Sequence, residues 1–146
     1  MAIETEGGFW LVLAMMALLF PLQITAGVLL AAAVHECGHI LVIRLTGGKI
    51  RRLVLHAAGA RLETAPMEPG QELLCALAGP AAGALTVAVW RSFPALALAG
   101  LVQMVFNLLP VYPLDGGRAL AAARKIWKTH WYSKKDCAMI FQKRER

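Results

Sequence analysis

The chain has 146 residues, of which 58% are hydrophobic and 16% are charged. Soluble domains are about 45–50% apolar and about 25% charged, so this composition favours one membrane-embedded domain. The net charge is +6, and no Lys or Arg occurs in residues 1–34. Long uncharged apolar stretches are not typical of nucleic-acid binders. We therefore expect the lipid bilayer as a partner and no nucleic acid.

Two apolar segments begin the chain. Residues 9–45 form a stretch too long for one membrane span, which needs about 20 residues, but sufficient for two short ones. Pro21, with polar residues shortly after it, marks the turn between predicted spans 9–21 and 23–45. A cleaved signal peptide is the competing interpretation. We discount it because the first residues contain two glutamates and no basic residue.

A short β-like segment and two more apolar segments follow. The alternating pattern of residues 50–63, with a glycine-containing bend, predicts a small β-hairpin at the membrane edge. Spans are predicted at residues 72–90 and 95–112. The third span contains small residues at 78–84, which let helices approach closely in lipid, and Pro80 predicts a kink there.

The predicted fold is therefore all-α, with about four transmembrane helices and a small β-hairpin. Residues 1–122 form the predicted core, and residues 123–146 form a basic cytoplasmic tail. Its aromatic residues stand among lysines, as in an interfacial belt: Trp127, Trp131 and Tyr132. Basic residues follow the second and fourth spans, and only Arg91 lies between the third and fourth. The positive-inside rule then places both termini in the cytoplasm.

The second apolar segment contains the motif His35-Glu36-Cys37-Gly38-His39. Two histidines four residues apart lie on one helix face and can bind one zinc ion. Glu36, beside the first histidine, can act as general base toward a water molecule that the metal activates. Ionisable groups inside an apolar span are costly and are usually functional. The alternative is a set of polar side chains that hydrogen-bond among packed helices.

A catalytic zinc site has three protein ligands and one open position, so a third ligand is required. The candidates are His56, Glu63, Glu68, Glu72, Asp115 and His130. Asp115 lies beside the fourth apolar segment, where the prolines and glycines of residues 110–118 predict a break in the helix. Such a break places a carboxylate at membrane depth in a protein-lined cavity. A turn aspartate preceding glycine is the alternative.

The three cysteines are far apart in the chain, at Cys37, Cys75 and Cys137. Their number and spacing indicate neither a disulfide framework nor a Cys-x-x-Cys metal pair, so free thiols are predicted. Cys37 stands two residues from each motif histidine, about 200° around a helix. It is therefore expected to face away from the metal.

Three stretches carry a resemblance to a known family: residues 33–39 (AVHECGH), 77–80 (LAGP) and 106–118 (FNLLPVYPLDGGR). They resemble the site-2 protease family of intramembrane zinc metalloproteases. The likeness is strongest to its bacterial sporulation branch, the stage IV sporulation protein FB type, which processes a pro-sigma factor. The similarity spans about residues 27–122, two thirds of the chain.

The resemblance implies that Asp115 is the third zinc ligand and that Glu36 is the general base. It also implies that Asn107 and Pro113 hold the substrate near the metal, with Asn107 able to donate to a carbonyl or oxyanion. The hairpin strand at 54–62 is expected to pair with an extended substrate segment. The chain departs from the family pattern at position 83, where it has glycine and the family often has asparagine. This difference concerns helix packing or a secondary polar contact and does not affect the predicted metal site.

The expected function is that of an intramembrane zinc endopeptidase that cleaves membrane-associated or transmembrane segments, with pro-sigma factor processing as one form. The expected location is a bacterial cell membrane, which the chain crosses several times. The expected partners are a membrane protein substrate and a regulatory membrane protein. The alternatives are an inactive scaffold or regulatory protein that retains the fold, and a soluble zincin. Two imidazoles and a carboxylate also suit Fe(II).

Overall fold

The computed structural model describes residues 2–89 and 91–144, with side chains up to residue 131. In chain order the elements are β1 (Ala2–Thr5), α1 (Gly7–Leu19), α2 (Leu22–Leu45), β2 (Ile50–His56), β3 (Gly59–Thr64), α3 (Pro69–Leu85), a short 3-10 helix (Thr86–Val89), α4 (Pro94–Asn107) and α5 (Asp115–Arg144). The mostly helical prediction is confirmed. Trp90, the predicted end of the third span, and residues 145–146 of the tail lie outside the described residues.

Two helical segments have the length and composition to cross a membrane. They are α2, with 24 residues, and the segment Pro69–Val89, with 21 residues. The helices α1 and α4 are apolar but have only 13 and 14 residues. A straight span needs about 17–25 residues, so the helix lengths support two of the four predicted spans.

The β-strands form one three-stranded sheet in the order β1-β2-β3. The antiparallel β2–β3 pair is the predicted hairpin, and Gly59 has a φ of 125°, which favours glycine at the turn. The sequence did not predict β1, which pairs in parallel with β2. Arg52 of β2 joins all three strands through ion pairs with Glu4 at 2.8 Å and Glu63 at 2.7 Å.

The central helix is α2, which packs against α3 and α4. Its buried residues are Thr25, Gly27, Ala31, His35, His39 and Ile43. Most of them recur every four residues, which places them on one face of the helix. Glycine at position 27 allows α4 to approach α2 closely. A Cβ at this position would lie only 2.8 Å from the Ala95 carbonyl carbon of α4, which is too close for a normal contact.

The ends of α3 differ from the prediction for local reasons. The helix begins at Pro69 rather than at residue 72, because Glu68 and Gln71 form a capping box and Pro69 occupies the first helical position. It then continues through Pro80 to Leu85. The glycine at position 83 is buried, and a Cβ there would lie 3.3 Å from the Gly100 carbonyl oxygen of α4. A small residue therefore fits this helix contact.

The predicted fourth span, residues 95–112, extends beyond the helix found there. The helix α4 ends at Asn107, because two prolines follow within six residues and proline lacks the N–H that a helix needs. The break in the helix that the sequence predicts within residues 110–118 lies between Asn107 and Asp115. Asp115 begins α5, where an acidic residue in the first turn complements the helix dipole. The helix then extends to Arg144.

We expect Gly27→Ala to lower the thermal unfolding midpoint of the protein in detergent micelles. Overpacking against the α4 backbone costs about 1–3 kcal/mol, which exceeds the ~0.5–1 kcal/mol that alanine gains over glycine in a helix. Gly70→Ala is the matched control, because a Cβ at this helical position meets no atom within 4 Å. An unchanged or higher midpoint for Gly27→Ala would contradict the close packing of α2 on α4.

Candidate metal centre and active site

Three polar side chains meet inside the apolar helix packing. His35 and His39 come from α2 and Asp115 is the first residue of α5, and all three are buried. The Asp115 Oδ2 atom lies 3.0 Å from His35 Nε2 and 3.2 Å from His39 Nε2. The two Nε2 atoms are 3.1 Å apart. The three atoms therefore form a nearly equilateral triangle.

This triangle fits a tetrahedral metal ion. Nitrogen and oxygen ligands bind zinc at about 2.0–2.2 Å, which separates neighbouring ligand atoms by about 3.3–3.5 Å in a tetrahedron. The observed separations of 3.0–3.2 Å are only slightly shorter. Two imidazoles and one carboxylate leave a fourth position for water or substrate, as in catalytic sites. In the described part of the chain, these three residues are the one group able to hold a metal.

Hydrogen bonds outside the triangle orient two of its members. The His39 Nδ1–H donates to the Cys75 backbone carbonyl at 2.8 Å, which leaves the Nε2 lone pair free for a metal. The Arg118 Nη1–H donates to Asp115 Oδ1 at 3.3 Å, so the other carboxylate oxygen faces the histidines. The buried His35 Nδ1 has no hydrogen-bond partner among the described residues.

Three contributors to this arrangement were missed in the sequence. Gly79 of α3 lies beneath both rings, and a Cβ there would collide with His39 Nε2 and lie 2.7 Å from His35 Nε2. The dense run of small residues in α3 predicted close packing but did not single out this position. Arg118 lies three residues after Asp115, a spacing that on a helix predicts contact between the two side chains. Cys75 acts through its backbone carbonyl, which the residue type does not reveal.

The predicted catalytic and substrate residues border one cleft of about 460 Å³ next to the triangle. Glu36 lines this cleft and is half-buried. Asn107 and Pro113 line it as well. The Asn107 Nδ2–H donates to the Gln103 carbonyl at 3.0 Å within its own helix, which leaves the amide oxygen without a bond in the described residues. Four residues of β3 complete the wall: Ala60, Arg61, Leu62 and Thr64.

The other acidic candidates for the third ligand have different partners. Glu63 accepts hydrogen bonds from Arg52 at 2.7 and 3.2 Å, which hold the pKa of the Glu63 carboxyl below its ordinary value. Glu68 caps α3, and Glu72 pairs with Lys125 at 3.4 Å. None of these carboxylates belongs to the described metal-binding group.

The imidazoles of His56 and His130 and the thiol of Cys37 also lie apart from the triangle, whereas the Cys75 sulfur lies 3.9 Å from His39 Nδ1. His56 borders the cleft, but its Nδ1 accepts the Ala58 backbone N–H at 3.2 Å and stabilises the hairpin turn. His130 is exposed on α5. Cys37 is exposed, in agreement with its predicted position away from the metal.

The fold matches that of a solved protease structure. The site-2 protease from Methanocaldococcus jannaschii superposes with a TM-score of 0.70 and 24% sequence identity, over 84% of this chain and 68% of that chain. The chain therefore has the site-2 protease fold. No protein-family model matches the sequence.

Two proteins are similar in sequence over most of this chain. A candidate zinc metalloprotease of Synechocystis sp. is 35% identical over 122 residues, which cover 72% of this chain and 32% of that protein. A zinc metalloprotease of Methanocaldococcus jannaschii is 32% identical over 138 residues, which cover 84% of this chain and 37% of that protein. The chain thus spans about a third of the length of these relatives.

We expect Asp115→Ala to abolish retention of a divalent metal ion. Loss of an outer hydrogen-bond partner typically weakens metal binding about 10–100-fold, and loss of a direct ligand should weaken it further. The measurement is the metal-to-protein ratio by plasma mass spectrometry after dialysis against a chelator. Glu72→Ala, which removes a carboxylate outside the triangle, should retain the ion. Equal metal content in both variants would contradict the assigned site.

Proposed function

We propose that this chain is the catalytic core of a zinc endopeptidase of the site-2 protease family, which cleaves membrane-associated or transmembrane protein segments. The observation that carries the proposal is the buried triangle of two imidazole nitrogens and one carboxylate oxygen, with Glu36 beside it in an open cleft. The shared fold and the zinc metalloprotease names of both relatives support zinc as the metal and peptide hydrolysis as the reaction.

The distribution of apolar surface supports a site within the bilayer. Many large apolar side chains of the helices point outward, and Leu18 and Leu22 are 85% and 82% exposed. Soluble monomers rarely expose apolar patches beyond a few hundred Å². His35 lies 13 residues from the start of α2 and 10 from its end, or about 20 and 15 Å along the axis. A spanning α2 therefore carries the site near mid-membrane.

We further propose that the short helices α1 and α4 also enter the membrane, which completes a four-span arrangement in a bacterial cell membrane. The support is their apolar composition and the asymmetry of the connecting segments. Basic residues follow α2 and recur along α5, whereas Arg91 alone is basic between α3 and α4. The positive-inside rule then assigns both termini and the sheet to the cytoplasmic side.

Glu36, which lines the cleft, is the proposed proton carrier of this reaction. A bound zinc ion would supply Lewis acidity that polarises the scissile carbonyl and activates water. The Glu36 carboxylate accepts the proton of the attacking water and then delivers it to the departing amine. His39 remains fixed by the Cys75 carbonyl throughout, and Asp115 remains fixed by Arg118.

The cleft also suggests how a substrate is held. The strand order leaves one edge of β3 without a partner strand in the described residues, and β3 residues line the cleft. An extended substrate segment can pair with this edge, which exposes a peptide bond that a helix would keep hydrogen-bonded internally. Asn107 then donates to the substrate carbonyl or the developing oxyanion, and Pro113 shapes the neighbouring wall.

The resemblance to the stage IV sporulation protein FB type supports a narrower assignment. We propose a membrane-associated regulatory protein, such as a pro-sigma factor, as the substrate class, and a regulatory membrane protein as the partner. Such a substrate presents a segment at the membrane surface, within reach of the β3 edge that has no partner strand among the described residues.

Glu36→Gln should reduce cleavage of a transmembrane reporter in proteoliposomes by about 10²–10⁴-fold, the usual contribution of a general base. Zinc content should remain that of the wild type, because the three proposed ligands are intact. Glu72→Gln is the control, since this residue pairs with Lys125 outside the cleft. Equal cleavage by wild type and Glu36→Gln would reject catalysis and favour the scaffold alternative.

Asn107→Ala should lower kcat by about 10²-fold while zinc content stays unchanged, as expected for the loss of one oxyanion donor. Gln103→Ala, one turn earlier in the same helix, leaves the Gln103 backbone carbonyl in place and should cleave like the wild type. Steady-state cleavage of the reporter measures both variants. A purely packing role for Asn107 predicts instead a lower unfolding midpoint with little change in kcat.

A further inference from the structure

A second cavity of about 500 Å³ adjoins the cleft at the base of the hairpin. Its charged lining residues come from β2, α3 and α5: Arg51, Glu72, Arg118 and Lys125. The segment 64–67, which runs from the last residue of β3 toward α3, forms the remaining wall. Three cationic side chains and one carboxylate give this cavity a net positive charge, which favours an anionic ligand.

We propose that this cavity binds the phosphate group of an anionic phospholipid. The proposal rests on the membrane embedding proposed above and is independent of the peptidase chemistry. Basic pockets between helices on the cytoplasmic side of membrane proteins bind acidic lipid head groups, and each basic residue near the surface contributes about 1 kcal/mol.

The hydrogen-bonding capacity of the lining residues supports a phosphate. Arg51 has no carboxylate at ion-pair distance within the described part of the chain, and Arg118 donates one N–H to Asp115. A guanidinium has five N–H donors in a planar fork that matches phosphate oxygens. The Lys125–Glu72 pair, at 3.4 Å, closes the opposite wall. Most arginine donors therefore remain for a ligand.

The position of the cavity supports a lipid as the source of the phosphate. The Gln71 Nε2–H donates to the Thr46 carbonyl at 3.0 Å, which joins the start of α3 to the end of α2. These two helices have membrane-spanning length, so their adjoining ends mark the depth of lipid head groups. Glu72 and segment 64–67 belong to this boundary. A lipid phosphate reaches the cavity without leaving the membrane surface.

The experiment measures lipid retention by native mass spectrometry on the delipidated 146-residue chain with the Glu36→Gln substitution, which removes any dependence on cleavage. Phosphatidylglycerol should bind in a saturable manner, whereas phosphatidylcholine and inorganic phosphate should not. Arg51→Gln and Lys125→Gln should each weaken phosphatidylglycerol binding about fivefold, from the ~1 kcal/mol per basic residue. Arg91→Gln, far from the cavity in the α3–α4 connection, should bind like the parent protein.

Equal retention of phosphatidylglycerol and phosphatidylcholine would overturn the proposal. If inorganic phosphate bound as well as phosphatidylglycerol, or displaced it, the ligand of the cavity would be a free anion and not a lipid. A loss for Arg91→Gln equal to that for Arg51→Gln would indicate general surface charge rather than this cavity. If Arg51→Gln fails to fold, the variant Lys125→Gln, at an exposed position, still tests whether the cavity binds phosphatidylglycerol. Cleavage by the wild-type chain is scored separately and tests only the proposed peptidase function.

Discussion

The α3 backbone passes directly beneath the two histidine rings of α2, and glycine makes the contact possible. A side chain at Gly79 would occupy the space of the Nε2 atoms. The same close approach brings the Cys75 carbonyl within 2.8 Å of His39 Nδ1. The absence of a side chain at Gly79 thus leaves space between the rings for a metal ion. The hydrogen bond to the Cys75 carbonyl also fixes the His39 ring so that its Nε2 atom faces that space. A bulkier α3 would remove both at once.

The third member of the triangle depends on a break in the helical chain. If α4 continued without interruption to residue 115, the rise of 1.5 Å per residue would carry the carboxylate about 12 Å beyond Asn107. Instead, the proline-containing segment 108–114 ends α4 and lets a new helix begin at Asp115. The carboxylate then meets two buried imidazoles. Each polar group would be costly to bury alone, and here the Asp115 carboxylate lies within hydrogen-bonding distance of both imidazoles.

The sequence predicted those features that depend on local spacing. The interval between His35 and His39 placed both on one face of α2, and the alternation of residues 50–63 predicted the hairpin. It did not predict β1, because a four-residue strand is too short for a recognisable pattern and is held by main-chain pairing and Arg52. From the residues alone Asp115 is one of several possible third ligands, because its meeting with α2 is a tertiary contact, and only the family resemblance singles it out.

The positioning groups around the triangle show a second limit of sequence reasoning. A backbone carbonyl such as that of Cys75 can be supplied by any residue type, so the residue itself carries no indication of the role. Gly79 is informative only once the ring positions are known. The roles of Glu36, Asn107 and Pro113 depend on where a substrate lies, and they therefore remain predictions that kinetic measurements decide.

The cleft and the basic cavity adjoin each other and share part of their lining. Arg118 and Thr64 line both spaces, and Arg118 also donates to Asp115 Oδ1. A guanidinium presents donors along more than one edge of its plane, so it can contact an anion on one side and keep the carboxylate on the other. An anion in the basic cavity would fix the guanidinium and, through it, the orientation of Asp115. The membrane surface and the proposed metal centre are thereby linked through one side chain.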